Sequence, residues 1–293
     1  MPQRRAKKPS IAIVGAGNLG SALAVSLREA GYRVIEVVSR ARPASRRKAQ
    51  KLAGRIGAEV VWVGQRPISA QVAWVCVPDR EIRLCAEALS RMGDWKSKTV
   101  FHLSGALGSR ELGALKRKGA VIASVHPLMT FVRGVVPDLA GVSFALEGDP
   151  TAVRVARRIV RDLGGQSFAI AETRKAAYHA WSAFTSPWLL SFLVTAERVA
   201  AAAGMRPAEA RRRMLPIVRQ TLENYEKRGP ARSFSGPIIR GDASTLAKHL
   251  RVLRTLPDAR SVYLALAKSA LQNLPVRNRR QLMKMLGARK RAS

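Results

Sequence analysis

Three glycines close to the start of the chain have the spacing of a phosphate-binding loop. Gly15, Gly17 and Gly20 occur in the order G-x-G-x-x-G directly after a short apolar run. In such a loop the first glycine permits a tight turn, the second lets backbone approach a pyrophosphate, and the third lets the next helix pack on the sheet. That helix, predicted from Leu19 with Asn18 before it, would direct free N–H groups at the phosphates. The surrounding strand–helix–strand pattern favours dinucleotide binding over a glycine-rich structural turn.

The end of the second predicted strand indicates which dinucleotide would bind. In NAD sites an acidic residue near this point takes the ribose 2′-OH, whereas an arginine accommodates the 2′-phosphate of NADP. Here the strand ends at Ser39 and Arg40, with Arg42 and Arg46 close by, and Glu36 lies too early for the ribose. We therefore expect NADPH to be preferred over NADH. The alternative is a set of solvent-exposed arginines without a ligand.

The fourth predicted strand ends in a turn that would also face a bound cofactor. Val72–Val77 is apolar and is followed by Pro78 and Asp79. Ligands of doubly wound sheets lie outside the carboxyl ends of the strands, so Val77 and Pro78 are predicted to border the cofactor. Asp79 is explained as the N-cap of the next helix.

A hydroxyl and an imidazole follow the next two predicted strands. Ser104 comes directly after Thr99–Leu103, and His126 comes before Pro127 at the end of Val121–Val125. A hydrogen bond from Ser104 to His126 would hold the ring in one tautomer and present its other nitrogen to a substrate hydroxyl. The alternative for His126 is a turn residue held by backbone contacts. His102, at the end of the fifth strand, is a further candidate substrate contact.

Polar residues in the second half form two more groups of candidate substrate contacts. Tyr178 and His179 lie on a predicted helix, where they face a substrate or form part of a polar stripe in a helical dimer. Asp242 can cap the next helix and pair with Arg240, fixing that guanidinium where a carboxylate could reach it. His249 follows within the same helix. A capped turn with a local ion pair explains Arg240 and Asp242 equally well.

The elements that must position these residues change in type along the chain. Short apolar strands alternate with helices up to Ile170, whereas the segment beyond it reads as helix, beginning with one long helix over Glu172–Ala203 that bends at Pro187. We predict an α/β fold, a doubly wound parallel Rossmann sheet followed by an all-α C-terminal domain. The predicted parts are a basic arm over 1–10, a dinucleotide-binding domain over 11–170, a helical substrate and dimerisation domain over 171–275, and a basic tail over 276–293. The predicted strands are Ile11–Val14, Val34–Val38, Ala58–Val63, Val72–Val77, Thr99–Leu103, Val121–Val125, Val142–Leu146 and Ser167–Ile170.

Composition and charge leave several classes of protein open. The chain has 293 residues with 52 Lys and Arg against 19 Asp and Glu, a formal charge of +33. Basic clusters at both ends and between Arg40 and Arg55 could bind nucleic acid, but solvated faces are the preferred explanation because no recognition motif accompanies them. Cys76 and Cys85 lack the spacing of a metal site or a disulfide framework, which indicates reduced structural thiols and no metal. We expect a cytoplasmic protein without a secretory signal or a membrane span, because polar residues interrupt the uncharged stretch Ala176–Ala196.

Six short motifs of the chain are Gly15–Gly20, Val77–Asp79, His102–Ala106, His126–Phe131, Tyr178–His179 and Gly236–Asp242. Together they resemble a family of uncharacterised bacterial Rossmann-like proteins that carry a helical domain of unknown function. This family is similar to deazaflavin-dependent NADP oxidoreductases and, more widely, to pyrroline-5-carboxylate reductases and prephenate dehydrogenases. The resemblance implies an NADP cofactor, with a deazaflavin as a further candidate, and a homodimer formed through the helical domain. By similarity to prephenate dehydrogenases, Ser104 and His126 would act together on a substrate hydroxyl. One departure is Pro187, which stands about where family members usually carry an asparagine.

These observations predict an NADP-dependent oxidoreductase that moves hydride to or from a small anionic substrate, a hydroxy or oxo acid or an imine, in an interdomain cleft. His126 would be the general acid or base, Ser104 its orienter and Arg240 the clamp for the substrate anion. One alternative is a non-enzymatic NADP-binding sensor whose helical half binds a partner. The other is a nucleic-acid-binding protein that uses the basic clusters.

Overall fold

The computed structural model describes residues 7–287, and within them eight strands form one sheet. Each strand overlaps one of the eight predicted from apolar runs. Residues 1–6 and 288–293, which hold the outer parts of the predicted basic arm and tail, lie outside the described residues. The strands are β1 (Ile11–Val14), β2 (Val34–Ser39), β3 (Glu59–Trp62), β4 (Val72–Val75), β5 (Thr99–His102), β6 (Val121–Pro127), β7 (Ser143–Gly148) and β8 (Gln166–Ala169).

The strand order confirms the predicted fold class and corrects one detail. The order is β3-β2-β1-β4-β5-β6-β7-β8, so the direction in which strands are added reverses beside β1. This is the arrangement of a doubly wound Rossmann sheet, in which ligands bind at the point of reversal. The sheet was predicted to be parallel throughout, but β7 runs antiparallel to β6. The segment joining these two strands contains no helix, and a parallel pair needs a crossover connection.

Helices cover both faces of the sheet and bury it. These helices are α1 (Asn18–Glu29), α2 (Pro43–Ile56), α3 (Ile82–Ser90), α4 (Gly113–Lys116) and α5 (Pro150–Asp162). One apolar cluster joins the sheet to α1, α2 and α5, and a second joins it to α3 and α4. A sixth helix, α6 (Lys175–Thr185), follows β8 after a short 3-10 turn at Glu172–Arg174.

The rest of the described chain is helical. The chain divides into two compact units between Phe184 and Thr185, later than the change of pattern in the sequence. The helical unit has a small core. The last described helix lies within the predicted basic tail, and Leu282 and Leu286 from this region are buried in that core. Its helices are α7 (Pro187–Ala201), α8 (Pro207–Ser233, broken at Gly229), α9 (Pro237–Arg240), α10 (Ala243–Val252), α11 (Pro257–Asn273) and α12 (Arg279–Met285).

The long helix predicted over Glu172–Ala203 is two helices. Ser186 has φ −131° and ψ −77°, which lies outside the helical region, and α7 begins at Pro187. Proline lacks the N–H of a helical hydrogen bond and its ring clashes with the preceding turn, so a break replaces the expected bend. Among residues 7–287, no helix combines the length and apolar character needed to cross a bilayer.

Candidate functional site

The glycine loop between β1 and α1 has the shape that a phosphate-binding turn requires. Gly15 has φ +99°, and a Cβ there would lie 2.7 Å from the carbonyl oxygen of Cys76. A Cβ at Gly20 would collide with the carbonyl oxygen of Gly15, so α1 can lie this close to the loop only with glycine at that position. A Cβ at Gly17 would meet nothing within 4 Å, which leaves this part of the loop open to a ligand. The open backbone and the first N–H groups of α1 fit a bound phosphate.

A cavity of about 370 Å³ extends from this loop to the end of β2. Sequence reasoning named four groups of its lining: Gly15 and Gly17, Ser39, Arg40, and Val77 with Pro78. It missed Ser45 and Lys48, which α2 presents to the cavity three residues apart on one face. The signal was available, because a helix that starts at Pro43 directs residues 45 and 48 to the same side.

The charged side chains around the cavity differ in what holds them. Arg40 Nη2 lies 3.2 Å from Glu81 Oε2, and both residues line the cavity. Arg46, expected near the cofactor, instead has its guanidinium over the ring of Trp62, 5.1 Å from the ring centroid. The chemistry of Ser39, Arg40, Ser45 and Lys48, two hydroxyls and two cations, fits an anionic group bound beside the end of β2.

Glu36 does not line the cavity, because hydrogen bonds hold its carboxylate elsewhere. Its side chain is fully buried, and its carboxylate accepts hydrogen bonds from the backbone N–H groups of Ser69 and Ala70 and from Arg66. Burial raises the pKa of Glu36, but these hydrogen bonds outweigh it and the pKa is lowered overall. Glu36 is therefore a structural carboxylate and has no free oxygen for a ribose.

A second group of side chains lies at the carboxyl ends of β5 and β6, on the same rim as the glycine loop. Asn18 Nδ2 donates a 3.4 Å hydrogen bond to the carbonyl oxygen of Phe131, in the segment that follows β6. This bond links the start of α1 to the segment that begins with His126. The cavity and His126 therefore belong to one rim of one compact unit.

His126 is held by a tyrosine of α6. Its Nδ1 lies 2.9 Å from the hydroxyl of Tyr178, and its ring is edge-to-face with His179 at 6.0 Å. A Cβ at Gly105 would lie 2.8 Å from His126 Nε2 and 2.6 Å from His179 Cδ2, so both imidazoles approach only because residue 105 is glycine. Burial, with a smaller contribution from the charge of Lys175, lowers the pKa of His126 to about 4. The ring is neutral at physiological pH.

Ser104 does not pair with His126 as predicted. Its Oγ donates a 2.7 Å hydrogen bond to Asp79 Oδ2 and accepts from the N–H groups of Ala106 and Leu107. The hydroxyl is bonded to Asp79, which follows β4, whereas the carbonyl oxygen accepts from Ser124 of β6 and Lys175 of α6. The carboxylate of Asp79, predicted to cap a helix, makes no capping bond and holds Ser104 instead.

His102 lies in the core and not at the rim where a substrate could reach it. It has no exposed surface, its Nε2 lies 2.9 Å from the carbonyl oxygen of Gly108, and its Nδ1 accepts from the N–H of Ser104. Both ring nitrogens are occupied, so the side chain fixes the turn after β5. Burial lowers the pKa of His102 to about 4, which keeps the ring neutral.

Lys175 is a buried charge that sequence reasoning overlooked. Its Nζ donates to the carbonyl oxygen of Ser104 at 3.1 Å and to Ser124 Oγ at 2.8 Å, and the residue has no exposed surface. Its only signal is position, since Lys175 is the last charged residue before the uncharged run Ala176–Ala196. Burial lowers the pKa of Lys175.

The remaining predicted site residues lie in the helical unit. Asp242 caps α10 by accepting from the N–H and hydroxyl of Thr245, and these bonds lower its pKa to about 2. Arg240 ends α9 and adds only a small further lowering of that pKa through its charge. His249 Nδ1 lies 3.1 Å from the hydroxyl of Tyr263. The roles of Arg240 and His249 in binding a substrate stay predictions.

Comparison with known families and structures matches both halves of the chain. Residues 2–127 match the Rossmann-like domain, and residues 142–270 match a domain of unknown function, DUF2520. Comparison of the sequence with curated proteins found no match.

Solved structures share the fold over nearly the whole chain. A Bacteroides fragilis protein provisionally named an NADP oxidoreductase is 21% identical with a TM-score of 0.74, covering 89% of this chain and 97% of that one. An imine reductase from Myxococcus stipitatus in complex with NADP+ is 17% identical with a TM-score of 0.62, covering 90% and 94%. A pyrroline-5-carboxylate reductase from Coxiella burnetii is 15% identical with a TM-score of 0.59, covering 90% and 98%. At these identities the likeness establishes the fold. The resemblance drawn from the motifs is confirmed by these matches, a Rossmann-like domain followed by DUF2520.

Proposed function

We propose that this protein is an NADP-dependent oxidoreductase that acts on a small substrate beside His126. The observation that carries the proposal is the single rim formed by the open glycine loop, the cationic end of β2 and the His126–Tyr178 pair. The buried Glu36 and the lining residues Arg40 and Lys48 support NADPH over NADH. The names of the similar structures support a nicotinamide cofactor, and none of the three structures described above is named for a deazaflavin.

A bound nicotinamide would supply or accept the hydride, and the chain would bind and orient the coenzyme and the substrate and move the accompanying proton. The glycine loop and α1 would bind the pyrophosphate, while Ser39, Arg40, Ser45 and Lys48 would bind the 2′-phosphate. Val77 and Pro78 would border the cofactor at the end of β4.

The His126–Tyr178 pair can accept a proton from the substrate or donate a hydrogen bond to it, depending on which nitrogen of the ring carries the proton. When His126 Nδ1–H donates to the tyrosine oxygen, Nε2 is a base that can accept a proton from a substrate O–H or N–H. When the tyrosine hydroxyl donates to Nδ1, Nε2–H faces the substrate as a hydrogen-bond donor. The proposed orienter is therefore Tyr178 in place of Ser104.

The test is a titration with NADPH and NADH followed by NADPH oxidation across a panel of oxo acids and cyclic and acyclic imines. The proposal expects tight NADPH binding, weaker NADH binding and turnover of at least one substrate class. NADPH binding without turnover of the whole panel would favour the sensor alternative. Weak binding of both coenzymes would contradict the proposal.

We further propose that the protein acts as a homodimer through its helical unit. Over its 15 residues α7 buries only Glu197, and over 27 residues α8 buries only Ala210. Large apolar side chains such as Trp188 and Leu190 are more than half exposed. A helix that is apolar on all sides is normally buried, and two chains of charge +33 can approach closely only where the surface is uncharged. The uncharged first part of α7 meets both conditions for contact with a second copy.

A further inference from the structure

Lys175 is a buried lysine at the start of a helix. It is the first residue of α6, and its side chain is fully buried between the ends of β5 and β6. Its hydrogen bonds go to neutral groups, the carbonyl oxygen of Ser104 and the hydroxyl of Ser124, and among residues 7–287 no carboxylate forms an ion pair with it. Burying an ammonium group without an ion-pair partner opposes folding, so stability alone does not explain the residue.

The helix that Lys175 begins also carries the two side chains that contact His126. Tyr178 and His179 follow three and four residues later and therefore lie on the same face of α6 as Lys175. Tyr178 is bonded to His126, and His179 lies against His126 and Gly105. Ser124 Oγ in turn donates to the carbonyl oxygen of Ser104, so Lys175 joins the ends of β5 and β6 to the first turn of this helix.

We infer that Lys175 is a positioning residue for the proposed reaction, which fixes α6 against the strand ends and so sets the His126–Tyr178 pair. The expected effect of Lys175 on turnover rests on the proposed function, whereas its expected effect on the pKa of His126 does not. The residue is buried and bonded on the inner side of the rim, so it acts through His126 and Tyr178 and does not touch the substrate.

The charge of Lys175 also acts on the pKa of His126. It lowers the pKa of His126 together with burial, which is the larger cause, and with the neighbouring His179 and His102. The groups that face His126 are thus Lys175, Tyr178 and His179 from α6 and His102 from β5. Glu147, Asp79 and Glu172 favour the charged form of Lys175, although burial lowers its pKa overall.

The test is nuclear magnetic resonance titration of the imidazoles in Lys175→Met, which keeps an apolar side chain of similar length. The chain has four histidines, so each signal can be assigned with single-histidine variants. We expect the His126 midpoint to rise by at least roughly one pH unit when the nearby charge is removed. We also expect kcat to fall at least roughly 10-fold with an unchanged Kd for NADPH.

The matched control is Lys98→Met. Lys98 Nζ likewise donates to a backbone carbonyl, that of Ala70, in the same compact unit, and its replacement should leave the His126 midpoint and kcat unchanged. If Lys175→Met does not fold, Ser124→Ala removes one of the two bonds and keeps the charge, and it should lower kcat several-fold without moving the midpoint.

A folded Lys175→Met protein with the wild-type His126 midpoint and wild-type kcat would overturn the inference, as would Ser124→Ala with wild-type kcat. If no substrate is turned over but the midpoint shifts, the proposed function fails while the link between Lys175 and His126 stands. If the wild type turns over a substrate and Lys175→Met changes neither the midpoint nor kcat, the proposed function stands and the role of Lys175 fails.

Discussion

The Tyr178–His126 hydrogen bond is the residue-scale feature on which the proposed proton transfer depends. Tyr178→Phe removes only the hydroxyl that holds Nδ1. We expect kcat to fall by roughly 10-fold or more because the imidazole loses the hydrogen bond that orients its ring. The Kd for NADPH should stay the same, as measured by calorimetry. Tyr225→Phe, at an exposed position of α8, is the control, and equal losses in both variants would refute this role.

His102 predicts a pH dependence of stability. Its pKa in the folded protein is about 4, below the ordinary histidine value of 6.5, so folding favours the neutral ring. The stabilisation is complete above the unfolded pKa and is lost as the pH falls through the folded value. A shift of this size corresponds to about 3 kcal/mol, and urea unfolding between pH 7 and pH 4 measures it. In His102→Gln the free energy of unfolding should fall less between pH 7 and pH 4 than in the wild type. An equal fall in both proteins would contradict the prediction.

Single residues at the strand ends could be identified from sequence, but their partners could not. His126 was found because an imidazole follows a predicted strand. The partner of Ser104 depends on which side of β5 its hydroxyl faces, and the partner of His126 lies 52 residues away on α6. His102 and Ser104 have equal weight as candidates in the sequence because their side chains alternate around the end of the strand. No periodic pattern reports a buried lysine such as Lys175.

At the scale of elements, the junction of β2 and α2 is proposed to select the coenzyme. Lys48→Ala removes a cation from the cavity, whereas Arg46→Ala removes a cation of the same helix that stacks on Trp62. We expect Lys48→Ala to raise the Kd for NADPH by roughly 10-fold, since one charge-assisted hydrogen bond is lost. The Kd for NADH should not change. An equal effect of Arg46→Ala, or weaker binding of NADH, would argue against a 2′-phosphate site.

The apolar runs predicted all eight strands because strand existence depends on local pattern. The antiparallel direction of β7 and the break before Pro187 depend on what connects or precedes an element. The segment between β6 and β7 lacks a helix, and Ser186 leaves the helical region before the proline. Both features are visible only once the neighbouring elements are in place.

At the scale of the whole molecule, the exposed apolar surface of α7 predicts a dimer. Leu190 is 63% exposed, so Leu190→Glu should not disturb a single folded chain. In a homodimer it would bury a charge, and we expect sedimentation to show dissociation to monomers at micromolar concentration. Val135→Glu, at another exposed apolar position but in the sheet unit, should remain dimeric. A wild-type protein that sediments as a monomer would refute the homodimer.

The central claim is that His126 moves a proton while NADPH lies across the glycine loop, and comparison of the wild type with His126→Ala tests it most directly. NADPH oxidation is measured with the best substrate of the panel, at coenzyme concentrations that saturate both proteins. The account predicts equal Kd values for NADPH and a loss in kcat of roughly 100-fold or more in the variant. A variant that binds NADPH equally and turns over at the wild-type rate would contradict it.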